Sequence, residues 1–407
     1  MNVEELLRDT LREQAGEQVP AGPGFADRVL AARRRRRGRR LASVAAATAA
    51  VVAVAVAVPL LDSGKDDVRP AGVVEPDGIG AHPDQSPPRD MIAAGRVALA
   101  AYWTARTVPR AGDADTAVFE RTYRLLDPRT GTYEKDSRWS RVAVAPGLRT
   151  AAVLERDLPV RRIGLLDLAS GQVERWVPVD HAVGGLAFSA DGTKLVATTY
   201  DGHPDELRRL DGDQGSDWGP LFGGSTRTGF TVLDVASGTG TWVAVPRDRH
   251  TYNGQDFAFG HGGRTVYCQV VGERDGLSRF YDLAGNEIAA PANERHLRSD
   301  VGARLSPDGT LAAWGLTKEV APGKSYSSIR DPRTGKEIAK VRGGRLLAWV
   351  DDKRLIAWER VTGLEEPYRP RLVLVTIGSD KVVPLSGVRE QDTDMSRHGW
   401  EPVFAER

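Results

Sequence analysis

The chain has 407 residues, of which 41% are hydrophobic, with 44 glycines and 24 prolines. This length is ample for a packed core, and many glycines with few aromatic residues are typical of a turn-rich β protein. A formal net charge of +1 at pH 7 excludes a global field that would attract nucleic acid, so no nucleic-acid partner is predicted. The single cysteine excludes an internal disulfide framework, and the alternating run around Cys268 predicts a buried strand position.

The first 40 residues are interpreted as a short cytoplasmic helical tail, which makes residues 1–40 a domain of their own. Apolar residues follow helical spacing from Val3 to Leu11. Seven of the eight residues Arg33–Arg40 are arginine, which makes the tail strongly basic. If the tail has a cytosolic regulator as its partner, we expect the contact within residues 1–32.

A transmembrane helix is predicted over residues 41–61, which are 21 residues without a charge. About 20 apolar residues span a bilayer as a helix, and the preceding arginines orient the N-terminus inside. A cleaved signal peptide is the alternative, with a peptidase site at Ala55–Ala57. Residues 62–90 follow as a Pro/Gly-rich linker. The chain is therefore predicted to be a single-pass protein of the cell membrane with an extracytoplasmic C-terminal domain.

Two turn types alternate along the rest of the chain and mark an internal repeat. The first type carries Asp and, in most copies, a Ser-Gly or Thr-Gly end, and it recurs every 40 to 67 residues. Its copies are Leu126–Gly131, Leu166–Gly171, Leu233–Gly238, Tyr281–Asn286, Arg330–Gly335 and the degenerate Val375–Asp380. The second type is clearest at Phe188–Leu195, Phe259–Val266 and Leu305–Leu311. Asp bonds back to the backbone and Gly accepts positive φ, so each turn predicts a hairpin.

Two alternating hairpin turns give four strands per repeat, which is the pattern of a β-propeller blade. The Ser-Pro-Asp-Gly turn at Ser306–Gly309 and the Leu-Asp-x-x-Ser/Thr-Gly turns resemble those of TolB-like and WD40-like propellers. The resemblance covers residues 91–407 and concerns the fold. Leu, Tyr, Arg or Val stands where a WD40 repeat has the Trp of its Trp-Asp dipeptide, which favours the looser TolB-like repeat.

The repeats predict an all-β fold, a six-bladed β-propeller over residues 91–407. Five complete blades are placed near 141–178, 183–246, 255–291, 301–342 and 345–385. The sixth blade joins Arg96–Trp103 to Trp400–Ala405, so that both termini of the domain close the ring. Closure would remove the open edges that invite aggregation.

The candidate site is a face with long second-to-third strand connections around the mouth of the propeller channel. Those connections are residues 104–117, 201–229, 272–276, 318–325 and 359–370. Aromatic residues in a loop can anchor a partner, and Arg-His pairs between blades suit an anionic ligand, with structural packing as the alternative. The candidate ligand-binding residues are Trp218, Phe222, His250, Arg295, His296 and Tyr368. The expected ligand is a protein or a component of the cell envelope.

No metal, cofactor or catalytic residue is predicted. Asp211, Asp213 and Asp217 partly match a calcium loop, but Phe222 stands where the bidentate Glu is needed. Nucleophile-elbow, zinc-protease, dinucleotide and phosphate-loop patterns are absent from the sequence. The leading hypothesis is a membrane-anchored, non-catalytic binding or scaffold module. The alternatives are a transmembrane signalling regulator with an anti-sigma-like tail, and a propeller hydrolase or lactonase.

Overall fold

A computed structural model describes most of the region predicted to be the extracytoplasmic domain. The described residues are 78–212, 215–220, 225–247, 254–270, 276–321, 324–363, 368–390 and 397–407. Their regular secondary structure consists of strands, and they contain no helix long and apolar enough to cross a membrane. The predicted tail, the predicted span at 41–61 and most of the predicted linker lie outside the described residues.

The first five strands belong to one antiparallel sheet. They are β1 (Ile79–Gly80), β2 (Ala93–Ala94), β3 (Val97–Arg110), β4 (Asp113–Asp127) and β5 (Thr132–Asp136). The order β1-β2-β3-β4 follows the chain, and β5 pairs with the C-terminal half of β4. The long β3–β4 hairpin has regular register from Ala101↔Leu125 to Pro109↔Ala117.

The sequence assigned residues 78–90 to the linker, but in the structure they belong to the folded region, which therefore begins earlier than predicted. β1 pairs with β2, and Gln85 is only 6% exposed. The Gln85 side-chain carbonyl accepts hydrogen bonds from the backbone N–H groups of Arg89 and Asp90. The polar side chain of Gln85 therefore organises this segment. Its sequence has no apolar periodicity, so the structure could not be predicted from it.

The next nine strands cover two predicted repeats. They are β6 (Trp139–Val144), β7 (Thr150–Glu155), β8 (Val160–Asp167), β9 (Gln172–Phe188), β10 (Lys194–Tyr200), β11 (Glu206–Gly212), β12 (Gly215–Pro220), β13 (Arg227–Asp234) and β14 (Gly240–Ala244). The long β9 serves both repeats, since residues 172–178 pair with β8 and residues 185–188 pair with β10. β11 and β12 leave this sheet, and β11 pairs with β4.

Three smaller antiparallel sheets follow in chain order. The first contains β15 (Ala258–Phe259), β16 (Thr265–Gln269), β17 (Ser278–Asp282) and β18 (Glu287–Ile288). The second contains β19 (Ala312–Ala321), β20 (Lys324–Arg330) and β21 (Glu337–Arg342). The third contains β22 (Arg345–Trp349), β23 (Arg354–Arg360), β24 (Pro370–Thr376) and β25 (Val382–Val388). The first and third sheets lie close to the predicted repeats near 255–291 and 345–385. The second differs, since it has three strands from residue 312 where four strands from about residue 301 were predicted, and Leu305 contributes only an isolated bridge to Ala312.

The last strand, β26 (Arg397–Glu406), returns to the first sheet and pairs antiparallel with β3. Its register runs from Arg397↔Arg106 to Glu406↔Val97. The predicted pairing between the two ends of the domain is therefore confirmed. The strands β26, β3, β4 and β5 together make a four-stranded antiparallel group.

Apolar cores lie between successive sheets. β3 and β4 share one core with β6 to β8, and a second core lies between β3 and the sheet of β22 to β25. Trp358 and Trp400 meet in that second core with ring centroids 4.8 Å apart. Cys268 is 1% exposed within the core between β10 and β16, as its alternating run predicted.

The repeated turns have the geometry that their residues predicted. In the first type, the Asp167 carboxylate accepts a hydrogen bond from the Ser170 N–H and Gly171 has φ +66°. In the second type, the Asp308 carboxylate accepts from the Ser306 hydroxyl at 2.6 Å and from the Thr310 N–H at 2.9 Å. These hydrogen bonds, that of Ser306 foremost, lower the pKa of Asp308 to about 2.

Candidate functional site

The long connections that the sequence predicted are, in large part, strands. Residues 104–117 extend β3 and β4 to a tight turn, and residues 201–229 contain the β11–β12 hairpin. Residues 318–325 continue β19 and β20. The expectation of irregular loops here was wrong because alternating polar residues at these positions form exposed two-stranded ribbons.

Four of the six predicted site residues lie in the described part of the chain, and they lie on different elements. Trp218 lies on β12 opposite Arg209, whose guanidinium carbon is 5.5 Å from the indole centroid. Tyr368 lies in the β23–β24 connection and is 43% exposed. His296, which follows Arg295, packs against Gly335 in the tight β20–β21 turn. Phe222 and His250 lie outside the described residues, as do the side chains of Asp211, Asp213 and Asp217.

A groove of about 870 Å³ opens on the first sheet and is strongly basic. We call it the basic groove. Its five basic residues are Arg106, Arg124, Lys135, Arg156 and Arg389, against the two carboxylates Glu120 and Glu390. His398 also lines it, with its ring centroid 4.7 Å from that of Phe119.

Two cations meet at one end of the basic groove. Arg124 on β4 is the direct cross-strand partner of Lys135 on β5. Neither side chain forms an ion pair with any described residue, and the Arg124 guanidinium carbon lies 5.7 Å from the Tyr102 ring centroid. Like charges directly opposite each other on neighbouring strands destabilise a sheet. The fold therefore tolerates an unneutralised pair of cations here.

The other end of the basic groove also has an excess of positive charge. Arg106 donates to the Glu120 carboxylate at 3.0 Å, and Arg156 lies 3.4 Å from the same oxygen. Arg156 also donates to the backbone carbonyl of Ser137. Two guanidinium groups thus share one carboxylate.

One wall of the basic groove is held rigidly. The Arg389 guanidinium donates to the Trp400 carbonyl at 3.0 Å and to the Glu401 carboxylate at 2.6 Å. The Trp400 indole N–H donates to the Ser86 hydroxyl at 3.0 Å. Since Trp400 is 2% exposed, β26 fixes this wall through a core contact rather than a surface contact.

A buried ionic cluster fixes the chain just before β11, close to the basic groove. Asp205 is 8% exposed and accepts hydrogen bonds from Arg141 at 2.5 and 2.7 Å and from Arg121 at 2.6 Å. Its backbone carbonyl accepts from the Phe119 N–H. We call Asp205, Arg121 and Arg141 the Asp205 clasp. It ties the β11–β12 hairpin to both β4 and β6.

Burial and charge oppose each other in this cluster. Burial would raise the pKa of Asp205, but the charges of Arg141 and Arg121 outweigh it and hold that pKa well below its usual range. Burial raises the pKa of Asp256, which accepts a 2.7 Å hydrogen bond from the Tyr200 hydroxyl. Burial also lowers the pKa of His203. The cluster holds the neighbouring strands together, and it does so through the ionised form of Asp205.

The groove cations were missed by the sequence analysis, although a signal for them existed. The turn at Leu126–Gly131 fixes the register Asp127↔Thr132, and counting outward from it places Arg124 opposite Lys135. The register of this hairpin therefore predicts the pair. Arg106 faces Glu120 within the β3–β4 hairpin, whereas the contributions of Arg156 and Arg389 depend on contacts between separate segments and had no local signal.

Comparisons with known proteins found only solved structures of low similarity. No protein-family model matches the chain, and no curated protein sequence matches it. The structure is similar to Kuenenia stuttgartiensis hydrazine synthase, with a TM-score of 0.35 and 14% identity over 66% of this chain and 75% of that one. It is similar to TolB from Acinetobacter baumannii, with a TM-score of 0.31 and 13% identity over 58% and 62% of the two chains. For Porphyromonas gingivalis dipeptidyl peptidase 4 the TM-score is 0.37, with 14% identity over 70% and 44%.

The described part of the fold is all-β. The strand pairings establish successive antiparallel sheets with apolar cores between them. The comparisons transfer no activity to this chain.

Proposed function

We propose that this chain is a non-catalytic binding module whose β-propeller takes an anionic ligand of the cell envelope in the basic groove. The observation that carries the proposal is the Arg124–Lys135 pair, two cations on facing strand positions that form no ion pair with a carboxylate of the described residues. A bound carboxylate or phosphate would remove that repulsion and gain charge-assisted hydrogen bonds. The site therefore favours an anion by its electrostatics.

The proposed architecture is a propeller of six blades. Its support comes from the contacts at both ends of the first group of strands. The backbone N–H of Gly147, after β6, donates to the carbonyl of Glu406 in β26 at 2.8 Å. On the other side, Gly95 lies against Val350, directly after β22. The first sheet thus has a neighbour on each side, as a closed ring requires.

The proposed location is the outer side of a membrane. The support is the uncharged stretch at 41–61 and the arginines before it, which favour an anchor with its N-terminus inside. A cytosolic regulator at residues 1–32 is part of the same proposal. Capture of partners from native membranes, with and without residues 2–32, tests it. Loss of a cytosolic protein with the tail would support signalling, and an unchanged set of partners would support plain anchoring.

Replacing both groove cations, Arg124→Gln with Lys135→Gln, is expected to weaken binding of sodium tripolyphosphate by at least tenfold. The reason is that the unneutralised positive charge at that end is removed while the fold is kept. The free energy of unfolding of the same variant is expected to rise by roughly 0.2–1 kcal/mol, because the cross-strand repulsion is gone. Isothermal titration calorimetry and denaturant unfolding of the full chain in detergent measure the two effects.

The matched control is Lys353→Gln, since Lys353 is an exposed lysine in the β22–β23 turn, outside the basic groove. It should bind tripolyphosphate as the wild type does. Equal affinity of the wild type and the double variant would contradict the proposed function.

A further inference from the structure

The floor of the basic groove between its two positive ends is built from hydroxyl groups. Thr104 on β3 and Thr122 on β4 are direct cross-strand partners, and both line the groove. Their hydroxyls make no hydrogen bond to any described residue. Ser86 and Ser137 add two more hydroxyl groups at the edges. The two threonine hydroxyls thus offer donors and acceptors without hydrogen-bond partners among the described residues, whereas the Ser86 hydroxyl already accepts from the Trp400 indole N–H.

Strand geometry sets the distance between the two positive ends. Arg124 lies opposite Tyr102, and Glu120 lies opposite Arg106, which places the two rungs four residues apart along β4. At about 3.4 Å per residue, the rungs are about 14 Å apart, with the Thr104–Thr122 rung about halfway between them. The groove therefore repeats a pattern of cation, hydroxyl and cation along one sheet face.

The lining of the groove does not resemble a protein-binding hot spot. Such sites bury aromatic and aliphatic anchors at their centre. Here the side chains other than Pro87, Ala105 and the edge of the buried Trp400 are polar or charged, apart from one glycine. The occupant that complements this surface carries charge and hydroxyl groups, with little apolar surface.

We infer that the ligand is an extended, hydroxyl-rich polyanion, a glycan or polyol chain bearing carboxylate or phosphate groups. One anionic group lies at Arg124 and Lys135, and a second, about 14 Å further along, lies at Arg106 and Arg156. The ligand's hydroxyls bond to Thr104 and Thr122 between them. This inference rests on the proposed function and adds the chemistry between the charges.

The test compares three soluble probes on the full chain in detergent. They are an oligogalacturonate, a glycerol-phosphate oligomer, and sodium tripolyphosphate, which has charge but no sugar or polyol hydroxyls. Replacing Thr104→Val with Thr122→Val keeps the branched shape and every charge. We expect this variant to bind the two hydroxylated probes roughly fivefold more weakly for each hydroxyl lost, and tripolyphosphate unchanged. The better of the two hydroxylated probes identifies carboxylate or phosphate as the anionic group.

The outcomes separate this inference from the proposed function. If none of the probes binds, both fail. If the valine variant binds all three probes as the wild type does, the hydroxyl floor has no role, and the inference fails while the anionic site stands. Tighter binding of poly-glutamate than of either hydroxylated probe would assign an acidic peptide instead and would also overturn the inference. Circular dichroism and an unchanged unfolding midpoint establish that the valine variant is folded.

Discussion

Deleting residues 399–407 is expected to abolish cooperative unfolding of the domain or to lower its melting temperature sharply. These residues form most of β26, which pairs with β3 and contributes Trp400 to the core shared with the last sheet. Without them, β3 has an exposed edge, and two cores lose apolar partners. Thermal unfolding of the full chain and of the deletion variant, followed by circular dichroism, measures the effect.

A milder change makes the same test independent of gross misfolding. Trp400→Ala should cost about 3–5 kcal/mol, as expected for removal of a buried aromatic side chain. The control is Glu406→Gln in the same strand, which removes the half-exposed ion pair with Arg96 and should cost at most about 1 kcal/mol. A deletion variant with an unchanged melting temperature would show that β26 does not close the domain.

Asp205→Asn is expected to destabilise the protein by about 3–5 kcal/mol. The change leaves Arg121 without its carboxylate partner and Arg141 with only the longer 3.9 Å contact to Asp256, in a mostly buried site where a poorly compensated charge is costly. The β11–β12 hairpin should lose its attachment before the rest of the domain unfolds. Denaturant unfolding gives the free energy, and hydrogen exchange of the β11 amides reports the local loss.

The matched control for that change is Asp157→Asn, because Asp157 is an exposed carboxylate that lines the same small cavity of about 280 Å³ as Asp205. It should leave the unfolding free energy nearly unchanged. An Asp205→Asn protein as stable as the control would mean that the clasp does not hold the hairpin.

The lowered pKa of Asp205 predicts that the stability of the protein depends on pH in the acid range. The pKa of Asp205 is lower in the folded protein than in the unfolded chain, so its contribution is present above the unfolded value of about 3.9. That contribution is lost as the pH falls from about 4 towards the folded value. The wild type should therefore lose more stability between pH 5 and pH 2 than Asp205→Asn does. Parallel slopes for the two proteins would contradict this assignment.

The repeat pattern could be predicted from the sequence because its signals are local. Each Asp and Gly of a turn such as Asp167–Gly171 fixes a hairpin within a few residues, and the strands on both sides follow from alternation. The pairing of β26 with β3 could also be predicted, since an unpaired strand at each end of a repeat series has only the other as its partner. These inferences needed no knowledge of side-chain packing.

The site could not be predicted in the same way. Trp218 and Tyr368 were chosen for residue type and loop length, but the structure places one on a hairpin beside Arg209 and the other beside Arg360. The basic groove depends on where Arg156 and Arg389 lie relative to β3 and β4, and Arg389 is more than 200 residues away from these strands in the sequence. The net charge of a surface comes from side chains of several segments, so it cannot be predicted from any single stretch of the sequence.

The return of β26 to the first sheet has a consequence for biosynthesis. The floor of the basic groove is made from β3, β4 and β5, which a ribosome produces early, whereas its Trp400 wall comes from β26. A partly translated chain therefore carries the cations but not the wall that positions Arg389. The groove therefore gains this wall, and the fixed position of Arg389, only when β26 has been made and has docked on β3.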